Sequence, residues 1–266
     1  MNISNILIVT DIDNTFLGDE SVLPEENAEA VKRFIAEGGH FTFATGRSEP
    51  SFADGVPCYR ELMNAPGIFC NGAYCRDFYT KEFIDTCPLE PLPALKLSRE
   101  MLAAFSDIDS RLTCEKGLFY LREKGRDIPD YELPTDEPWY KIIFMGDPDR
   151  LDEARDFMIE RSGSRYAFSK SYPEVLEILE AGATKGSMLR SLKKHMEKKL
   201  GRPLEVWACG DFENDLPMLE AADVACCPSN ALEEVQALSE HVLSPNNQGF
   251  MAEMIELIMN TYPAAE

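Results

Sequence analysis

Two aspartates stand one residue apart in the stretch TDIDNTFLGD, residues 10–19, directly after the apolar run ILIV. These residues, Asp11 and Asp13, therefore follow a predicted buried strand, where like charges need a chemical reason. Two carboxylates in one loop suit proton transfer or the binding of a hard cation that prefers oxygen ligands. A carboxylate that such a cation leaves partly unneutralised can also attack an electrophile such as phosphorus.

Polar residues also follow the other predicted strands of the chain. In an open parallel sheet, ligands bind at the carboxyl ends of the strands, where backbone N–H groups and helix N-termini converge. The polar groups at these ends are Thr45 with Gly46 and Arg47, Asn71 with Gly72, and Asp211 with Asn214 and Asp215. Carboxylates from two distant loops predict a Mg²⁺ site, because Mg²⁺ binds few protein carboxylates and keeps waters and phosphate oxygens.

The charge of the chain limits its partners. Its 266 residues contain 26 Lys and Arg against 47 Asp and Glu, which gives a net charge of −21. The field of this charge repels nucleic acid backbones and anionic membrane surfaces, so we expect neither as a partner. An anionic substrate requires a local cation, a metal or helix N-termini to overcome that field. Bound Mg²⁺ would meet this requirement.

The cysteines and the N-terminus predict a compartment. The eight cysteines contain no C-x-x-C pair and have no histidine at ligand spacing, so reduced apolar thiols are a better interpretation than a zinc site. The N-terminus has no basic segment before its short apolar run, and no apolar segment is long enough to cross a bilayer. These features favour a cytoplasmic protein.

The predicted elements change in style along the chain. Strands and helices alternate at the start (NILIVTD, PEENAEAVKRFIAEGG, HFTFATGR) and again after Ala183, whereas the middle has hairpin and mixed patterns punctuated by the Pro-rich passages CPLEPLP and IPDYELPTDEP. We therefore predict an α/β fold: a doubly wound, Rossmann-like parallel sheet core from residues 1–80 and 183–266, with an inserted α+β cap domain at 81–182.

Four short motifs resemble those of one enzyme superfamily. DIDNT at 11–15 is similar to the D-x-D-x-T opening motif of haloacid dehalogenase superfamily phosphatases, and FATGR at 43–47 is similar to their second motif. Lys185 in GATKGSML resembles the third motif, and GDFENDLPML at 210–219 resembles the fourth, G-D-x-x-N-D. The α+β insert, with CNGAY and LSPNNQGFMAEMI, is similar to the Cof-type subfamily with the C2B cap.

The resemblance implies a role for each motif residue. Asp11 would be the nucleophile that forms an aspartyl-phosphate, and Asp13 would act as general acid and base and give its backbone carbonyl to Mg²⁺. The remaining roles are phosphate binding by Thr45, Gly46, Lys185 and Asn214, metal binding by Asp211 together with Asp11 and Asp13, orientation of the site by Asp215, and candidate substrate contacts by Arg47 and Asn71.

The implied function is Mg²⁺-dependent hydrolysis of a small phosphorylated metabolite, such as a sugar phosphate or a phosphorylated cofactor, by a monomer or small homo-oligomer. Two alternatives stay open at this stage: a phosphomutase of the phosphomannomutase kind, and a catalytically silent metabolite-binding protein. One residue departs from the family pattern, since Asn14 occupies a position that is usually Gly. Asn tolerates left-handed backbone conformations, so we expect the loop to keep its shape.

Overall fold

The computed structural model describes residues 1–56 and 58–263, and the chain divides into two compact units. The first unit comprises Met1–Asp85 and Thr184–Glu266, and the second comprises Thr86–Ala183. The second unit is therefore an insertion between two sequence segments of the first. Among the described residues, no helix combines the length and the apolar character required to cross a bilayer.

The first segment alternates strands and helices. Its elements are β1 (Ile6–Thr10), α1 (Glu25–Ala36), β2 (His40–Phe43), α2 (Glu49–Gly55), α3 (Tyr59–Leu62), β3 (Gly67–Phe69), β4 (Tyr74–Arg76) and β5 (Phe83–Thr86). The sequence identified the region of α2 and α3 only as polar and broken by Pro and Gly. Pro50 lies in the first turn of α2, where its missing N–H removes no helical hydrogen bond.

The inserted unit contains a six-stranded antiparallel sheet. Its elements are α4 (Pro91–Ala104), β6 (Asp109–Cys114), β7 (Gly117–Glu123), β8 (Arg126–Asp127), β9 (Trp139–Met145), α5 (Pro148–Ser162), β10 (Tyr166–Tyr172) and β11 (Val175–Glu180). The strand order is β10-β11-β9-β6-β7-β8, and its hydrophobic core includes Leu112, Ile142 and Phe144. Helix α4 begins inside the Pro-rich passage CPLEPLP, because Pro is favoured in the first turn of a helix, where its missing N–H removes no helical hydrogen bond.

The last segment returns to the alternating order of the first. Its elements are α6 (Lys185–Leu200), β12 (Glu205–Cys209), α7 (Leu216–Ala221), β13 (Val224–Pro228), α8 (Glu233–Leu238), β14 (His241–Leu243) and α9 (Phe250–Thr261). Helix α1 packs against α9, and α6 packs against α7. A Cβ on Gly186 would lie 1.9 Å from the carbonyl oxygen of Pro217, so this close approach of α6 to α7 requires a glycine.

A parallel sheet joins the two segments of the first unit. Its strand order is β14-β13-β12-β1-β2, with every neighbouring pair parallel. All five residues of β1 are buried, as its uninterrupted apolar run predicts for a central parallel strand. The predicted α/β class with a parallel-sheet core is confirmed. Because β1 and β12 are parallel neighbours, the loops that follow them lie at the same edge of the sheet.

An aromatic cluster supports the loop that follows β1. The ring of Phe16 lies 5.1 Å from that of Phe43 and 5.9 Å from that of Phe41, both on β2, and all three side chains are fully buried. Burying a large aromatic side chain stabilises a fold by about 1.5–3 kcal/mol. The cluster therefore fixes the end of the loop that carries Asp11 and Asp13.

Candidate active site

Lys185 is a fully buried cation at the edge of the parallel sheet. Its Nζ lies 2.5 Å from Oδ1 of Asp11 and 2.6 Å from Oδ1 of Asp215, so it connects the loops after β1 and β12. Burial lowers the pKa of Lys185, but Asp11 and Asp215 outweigh that effect and raise the pKa above its ordinary value. Lys185 therefore stays charged.

The start of α6 fixes the position of this lysine. Thr184 caps the helix, since its hydroxyl accepts a hydrogen bond from the N–H of Ser187 at 3.0 Å, and the Ser187 hydroxyl accepts one from the N–H of Thr184 at 3.2 Å. The positive end of the helix dipole disfavours a lysine in this first turn. The two aspartates supply the compensating negative charge.

Asp215 holds the loop after β12 as well as the lysine. Its Oδ2 accepts hydrogen bonds from the backbone N–H groups of Asp211 at 3.0 Å and Phe212 at 3.2 Å. A Cβ on Gly210 would lie 2.3–2.5 Å from atoms of the Asp215 side chain, so only glycine leaves room for the carboxylate. The G-D-x-x-N-D spacing thus places the Asp215 carboxylate against the backbone of Asp211, where it holds the loop in place.

Three buried carboxylates form a cluster that could hold a cation. Oxygen atoms of Asp11, Asp211 and Asp215 lie within 4.8 Å of one another, and Oδ1 of Asp211 accepts a hydrogen bond from the Thr15 hydroxyl at 2.8 Å. Burial raises the pKa of Asp11 well above its ordinary value, although the Lys185 ammonium opposes the shift. Burial and the neighbouring Asp215 likewise raise the pKa of Asp211 to about 7.

This cluster fits a hard divalent cation. The donors are all carboxylate oxygens, and their mutual repulsion in a buried place is relieved by a bound positive charge. Both oxygens of Asp215 already accept hydrogen bonds, which leaves Asp11 and Asp211 as the carboxylates best placed to bind a metal.

Asp13 forms a two-point ion pair with Arg47. The Nε of Arg47 donates to Oδ2 of Asp13 at 3.0 Å, and its Nη2 donates to Oδ1 at 2.5 Å. The carboxylate of Asp13 thus has a partner different from that of Asp11. The sequence suggested Arg47 as a substrate contact and gave no sign of this pairing, because the two residues lie 34 positions apart.

Thr45 and Asn71 lie on adjoining backbone turns. Thr45 is buried, its hydroxyl accepts a hydrogen bond from the N–H of Arg47 at 3.0 Å, and its carbonyl accepts one from the N–H of Asn71. The Asn71 amide accepts a hydrogen bond from Nδ2 of Asn214 at 3.0 Å and lies against Gly46. Asn71 has a φ of 55° and Gly72 a φ of 96°, so the pair forms a turn with positive φ angles.

Three asparagine side chains hold the loop that follows β1. Each donates its amide to a loop carbonyl: Asn230 to that of Asn14 at 3.0 Å, Asn27 to that of Phe16 at 3.1 Å, and Asn246 to that of Leu17 at 3.1 Å. No local sequence pattern indicated a role for these three residues or for the Thr15 hydroxyl. Asn246 lies in the quoted segment LSPNNQG, but only the fold brings it to this loop, 229 positions away.

The architecture is shared with solved structures of other proteins. The chain is similar to TM0651 from Thermotoga maritima, with a TM-score of 0.77, 24% identity, and 95% of this chain and 97% of that one covered. It is also similar to BT1666 from Bacteroides thetaiotaomicron, described as one of the phosphatases of the haloalkanoate (HAD) superfamily, with a TM-score of 0.78, 20% identity, and 95% and 94% covered. At these identities the likeness establishes the fold.

The sequence model of the haloacid dehalogenase-like hydrolases matches residues 8–255, nearly the whole chain. The chain belongs to this family. The predicted family and the predicted class of enzyme, a hydrolase of the phosphatase type, are confirmed.

Relatives of the chain differ in their named activities. The chain is 26% identical to 5-amino-6-(5-phospho-D-ribitylamino)uracil phosphatase YwtE of Bacillus subtilis, over 95% of this chain and 98% of that one. It is 25% identical to pyridoxal phosphate phosphatase YbhA of Escherichia coli, over 94% and 97%. It is also 28% identical to the chloroplastic endoribonuclease YBEY of Arabidopsis thaliana over 93% of this chain, which spans only 45% of that protein.

The backbone at Asn14 yields a direct prediction. Its φ is 60°, which glycine adopts without strain and a β-branched residue does not. Asn14→Gly should therefore keep phosphatase turnover within about twofold, whereas Asn14→Val should lower the free energy of unfolding by about 1–3 kcal/mol. Steady-state turnover and urea unfolding measure the two effects. A large loss of turnover in Asn14→Gly would instead assign a role to the Asn14 side chain.

The raised pKa of Asp211 yields a second prediction. Because this pKa is about 7 in the folded protein against 3.8 for the unperturbed group, the folded protein keeps a proton that the unfolded chain has lost between these values. In EDTA, the free energy of unfolding should therefore fall as the pH rises towards 7 and stay low above it. In Asp211→Asn this fall should be smaller.

Thermal unfolding well below and well above pH 7 checks the prediction. The exposed Glu213→Gln is the control, since it removes one nearby carboxylate outside the cluster. An added divalent cation should raise the melting temperature of the wild type above pH 7, and that of Asp211→Asn much less. Equal pH profiles for the wild type and Asp211→Asn would contradict the assignment.

Proposed function

We propose that the protein is a Mg²⁺-dependent phosphomonoester hydrolase that acts on a small phosphorylated metabolite through an aspartyl-phosphate at Asp11. The observation that carries this proposal is the Lys185 cation, held between Asp11 and Asp215 beside the Asp211 carboxylate. Phosphoryl transfer needs a nucleophile, a positive charge close to the equatorial oxygens of the phosphoryl group, and a proton donor for the leaving group. The loops after β1, β2 and β12, with the start of α6, hold candidates for each.

In the first step, a carboxylate oxygen of Asp11 attacks the phosphorus atom, and the bond from phosphorus to the ester oxygen breaks. Asp13, in the protonated form that requires its ion pair with Arg47 to open, gives a proton to the departing oxygen, which leaves as an alcohol. In the second step, a water molecule attacks the phosphorus of the aspartyl-phosphate while Asp13 takes its proton. Inorganic phosphate leaves, and the Asp11 carboxylate is restored.

Positive charge at the site has to balance both the phosphate and the field of the whole chain. Lys185 supplies one positive charge, and it remains protonated because the carboxylates of Asp11 and Asp215 raise its pKa. Mg²⁺ held by Asp11 and Asp211 would supply two more and stabilise negative charge on the phosphoryl oxygens. Thr45, Gly46 and Asn214 would bind those oxygens through hydrogen bonds.

We propose that the inserted unit selects the metabolite. The candidate chemical residues all belong to the first unit, Met1–Asp85 and Thr184–Glu266. We therefore assign to Thr86–Ala183 the role of the family's cap domain, which distinguishes leaving groups. The named substrates of YwtE and YbhA are both small phosphate esters, which supports this substrate class for the chain.

A screen of phosphate esters tests the proposal. Purified protein with Mg²⁺ should release inorganic phosphate from at least one of pyridoxal phosphate, hexose phosphates and the phosphoribitylaminouracil ester. Asp11→Asn should lower turnover by at least about 10³-fold, since it removes the nucleophile. Asp54→Asn is the matched control, because Asp54 is exposed and lies outside the carboxylate cluster.

EDTA should abolish turnover in the same assay, and added Mg²⁺ should restore it. Phosphate release that is equal in wild type and Asp11→Asn would rule out Asp11 as the nucleophile. Hydrolysis of no small ester by the Mg²⁺-loaded wild type would rule out the proposed activity.

A further inference from the structure

Three consecutive residues after β3 have a left-handed backbone. The φ angles of Cys70, Asn71 and Gly72 are 50°, 55° and 96°, and no other run of positive φ among the described residues is as long. Cys70 is fully buried and Asn71 is 3% exposed. Residues other than glycine keep such angles only where their surroundings impose them, and such residues cluster at functional sites. We call Cys70–Gly72 the left-handed turn.

The left-handed turn is bonded to the turn after β2. The N–H of Cys70 donates a hydrogen bond to the carbonyl of Arg47 at 3.0 Å. The N–H of Asn71 donates one to the carbonyl of Thr45, also at 3.0 Å. A Cβ on Gly46 would lie 3.2 Å from both terminal atoms of the Asn71 side chain, so this amide packs directly against Gly46. The left-handed turn therefore holds two of the residues proposed to bind phosphate.

The middle residue of the left-handed turn contacts the loop after β12. Oδ1 of Asn71 accepts a hydrogen bond from Nδ2 of Asn214 at 3.0 Å. Asn214 belongs to the loop that carries Asp211 and Asp215. One buried side chain thus connects the turn after β2 with the loop of the carboxylate cluster.

The last residue of the left-handed turn lies against the start of α6. A Cβ on Gly72 would lie 2.2 Å from both the carbonyl carbon and the carbonyl oxygen of Thr184, and 2.8 Å from the backbone nitrogen of Lys185. These are backbone atoms, which cannot move aside as the end of a flexible side chain can. Any larger residue at position 72 would therefore have to displace the left-handed turn or the first turn of α6.

The first turn of α6 carries the buried cation of the site. Nζ of Lys185 lies 2.5 Å from Oδ1 of Asp11 and 2.6 Å from Oδ1 of Asp215, so its place depends on where the helix begins. Displacing a catalytic group by about 1 Å can lower a rate about 10²-fold. The contact at Gly72 thus reaches the chemistry, although Gly72 has no side chain that could take part in it.

We propose that the left-handed turn is a positioning element of the site, in which Gly72 sets the position of Lys185 and Asn71 sets that of Asn214. The inference rests on the proposed function, in which Lys185 and Asn214 bind the phosphoryl oxygens. It gives Asn71 a role in holding the phosphate-binding residues, where the sequence suggested a contact with the substrate.

The experiment compares two matched glycine variants. Gly72→Ala introduces both a strained φ and the collision with α6. Gly201→Ala, just after the other end of α6, introduces only the strain, since Gly201 has a φ of 67° and no described atom lies within 4 Å of an added Cβ. With Mg²⁺ present, kcat/KM is measured for nitrophenyl phosphate and for the best alkyl phosphate of the screen, and the Kd of orthovanadate is measured by calorimetry.

Orthovanadate separates a positioning role from a loss of folded protein. It imitates the five-coordinate phosphorus of the transition state, so its affinity reports the geometry of the groups that bind the phosphoryl oxygens. A fraction of unfolded protein would lower the number of binding sites and the apparent kcat. It would leave the Kd of the remaining sites unchanged.

For Gly72→Ala, we expect kcat/KM to fall about 10²-fold on both esters, because Lys185 acts on the phosphoryl group that the two esters share. The Kd of orthovanadate should rise by a similar factor, and Gly201→Ala should match the wild type in both measurements. An unchanged Kd in folded Gly72→Ala, or an equal rise in Gly201→Ala, would overturn the inference. Absence of turnover by the wild type on both esters would instead overturn the proposed function.

A double-mutant cycle tests the middle of the left-handed turn, and it also decides the matter if Gly72→Ala does not fold. Asn71→Gly keeps the left-handed backbone but removes the contact with Asn214, and it should lower kcat/KM by about threefold to tenfold. Because Asn71 acts through Asn214, the same change should cost much less in an Asn214→Ala background. Losses that add fully in the double variant would overturn the inference and return Asn71 to substrate binding.

Discussion

The buried ammonium of Lys185 is the interaction on which the candidate site depends. Removing a lysine and two aspartates from water is costly, and the cost is offset only when the charges are paired at close range. Lys185 meets Asp11 and Asp215 at 2.5 Å and 2.6 Å, so each of the three makes the burial of the others tolerable. The fold keeps these groups together because β1 and β12 are adjacent parallel strands.

Small residues allow the close approach that this arrangement requires. Gly186 lets α6 pack tightly against α7, and Gly210 leaves room for the Asp215 carboxylate. The loop after β1 is held from a different direction, by Phe16 in its aromatic cluster and by amides such as those of Asn27 and Asn246. The rigidity of the site thus comes from groups that do no chemistry themselves.

Much of this molecule could be predicted from its sequence, since the strands and motifs leave local patterns. The apolar run before Asp11 predicted a central parallel strand, and the spacing of G-D-x-x-N-D predicted a second acidic loop. The partner of Asp13 could not be predicted, because the approach of Arg47 depends on where two loops meet in space. Helix α4 was missed for a local reason, since its opening prolines resemble those of a linker.

The most direct test of the account is chemical trapping of the phosphorylated residue. The Asp13→Asn variant is mixed with nitrophenyl phosphate, whose leaving group departs without a proton, so that only hydrolysis of the intermediate is slowed. The mixture is quenched and reduced with borohydride, which converts an aspartyl-phosphate to homoserine. The account predicts homoserine at position 11, only when substrate and Mg²⁺ are both present. Homoserine at Asp211 or Asp215, or at no residue while phosphate is released, would contradict it.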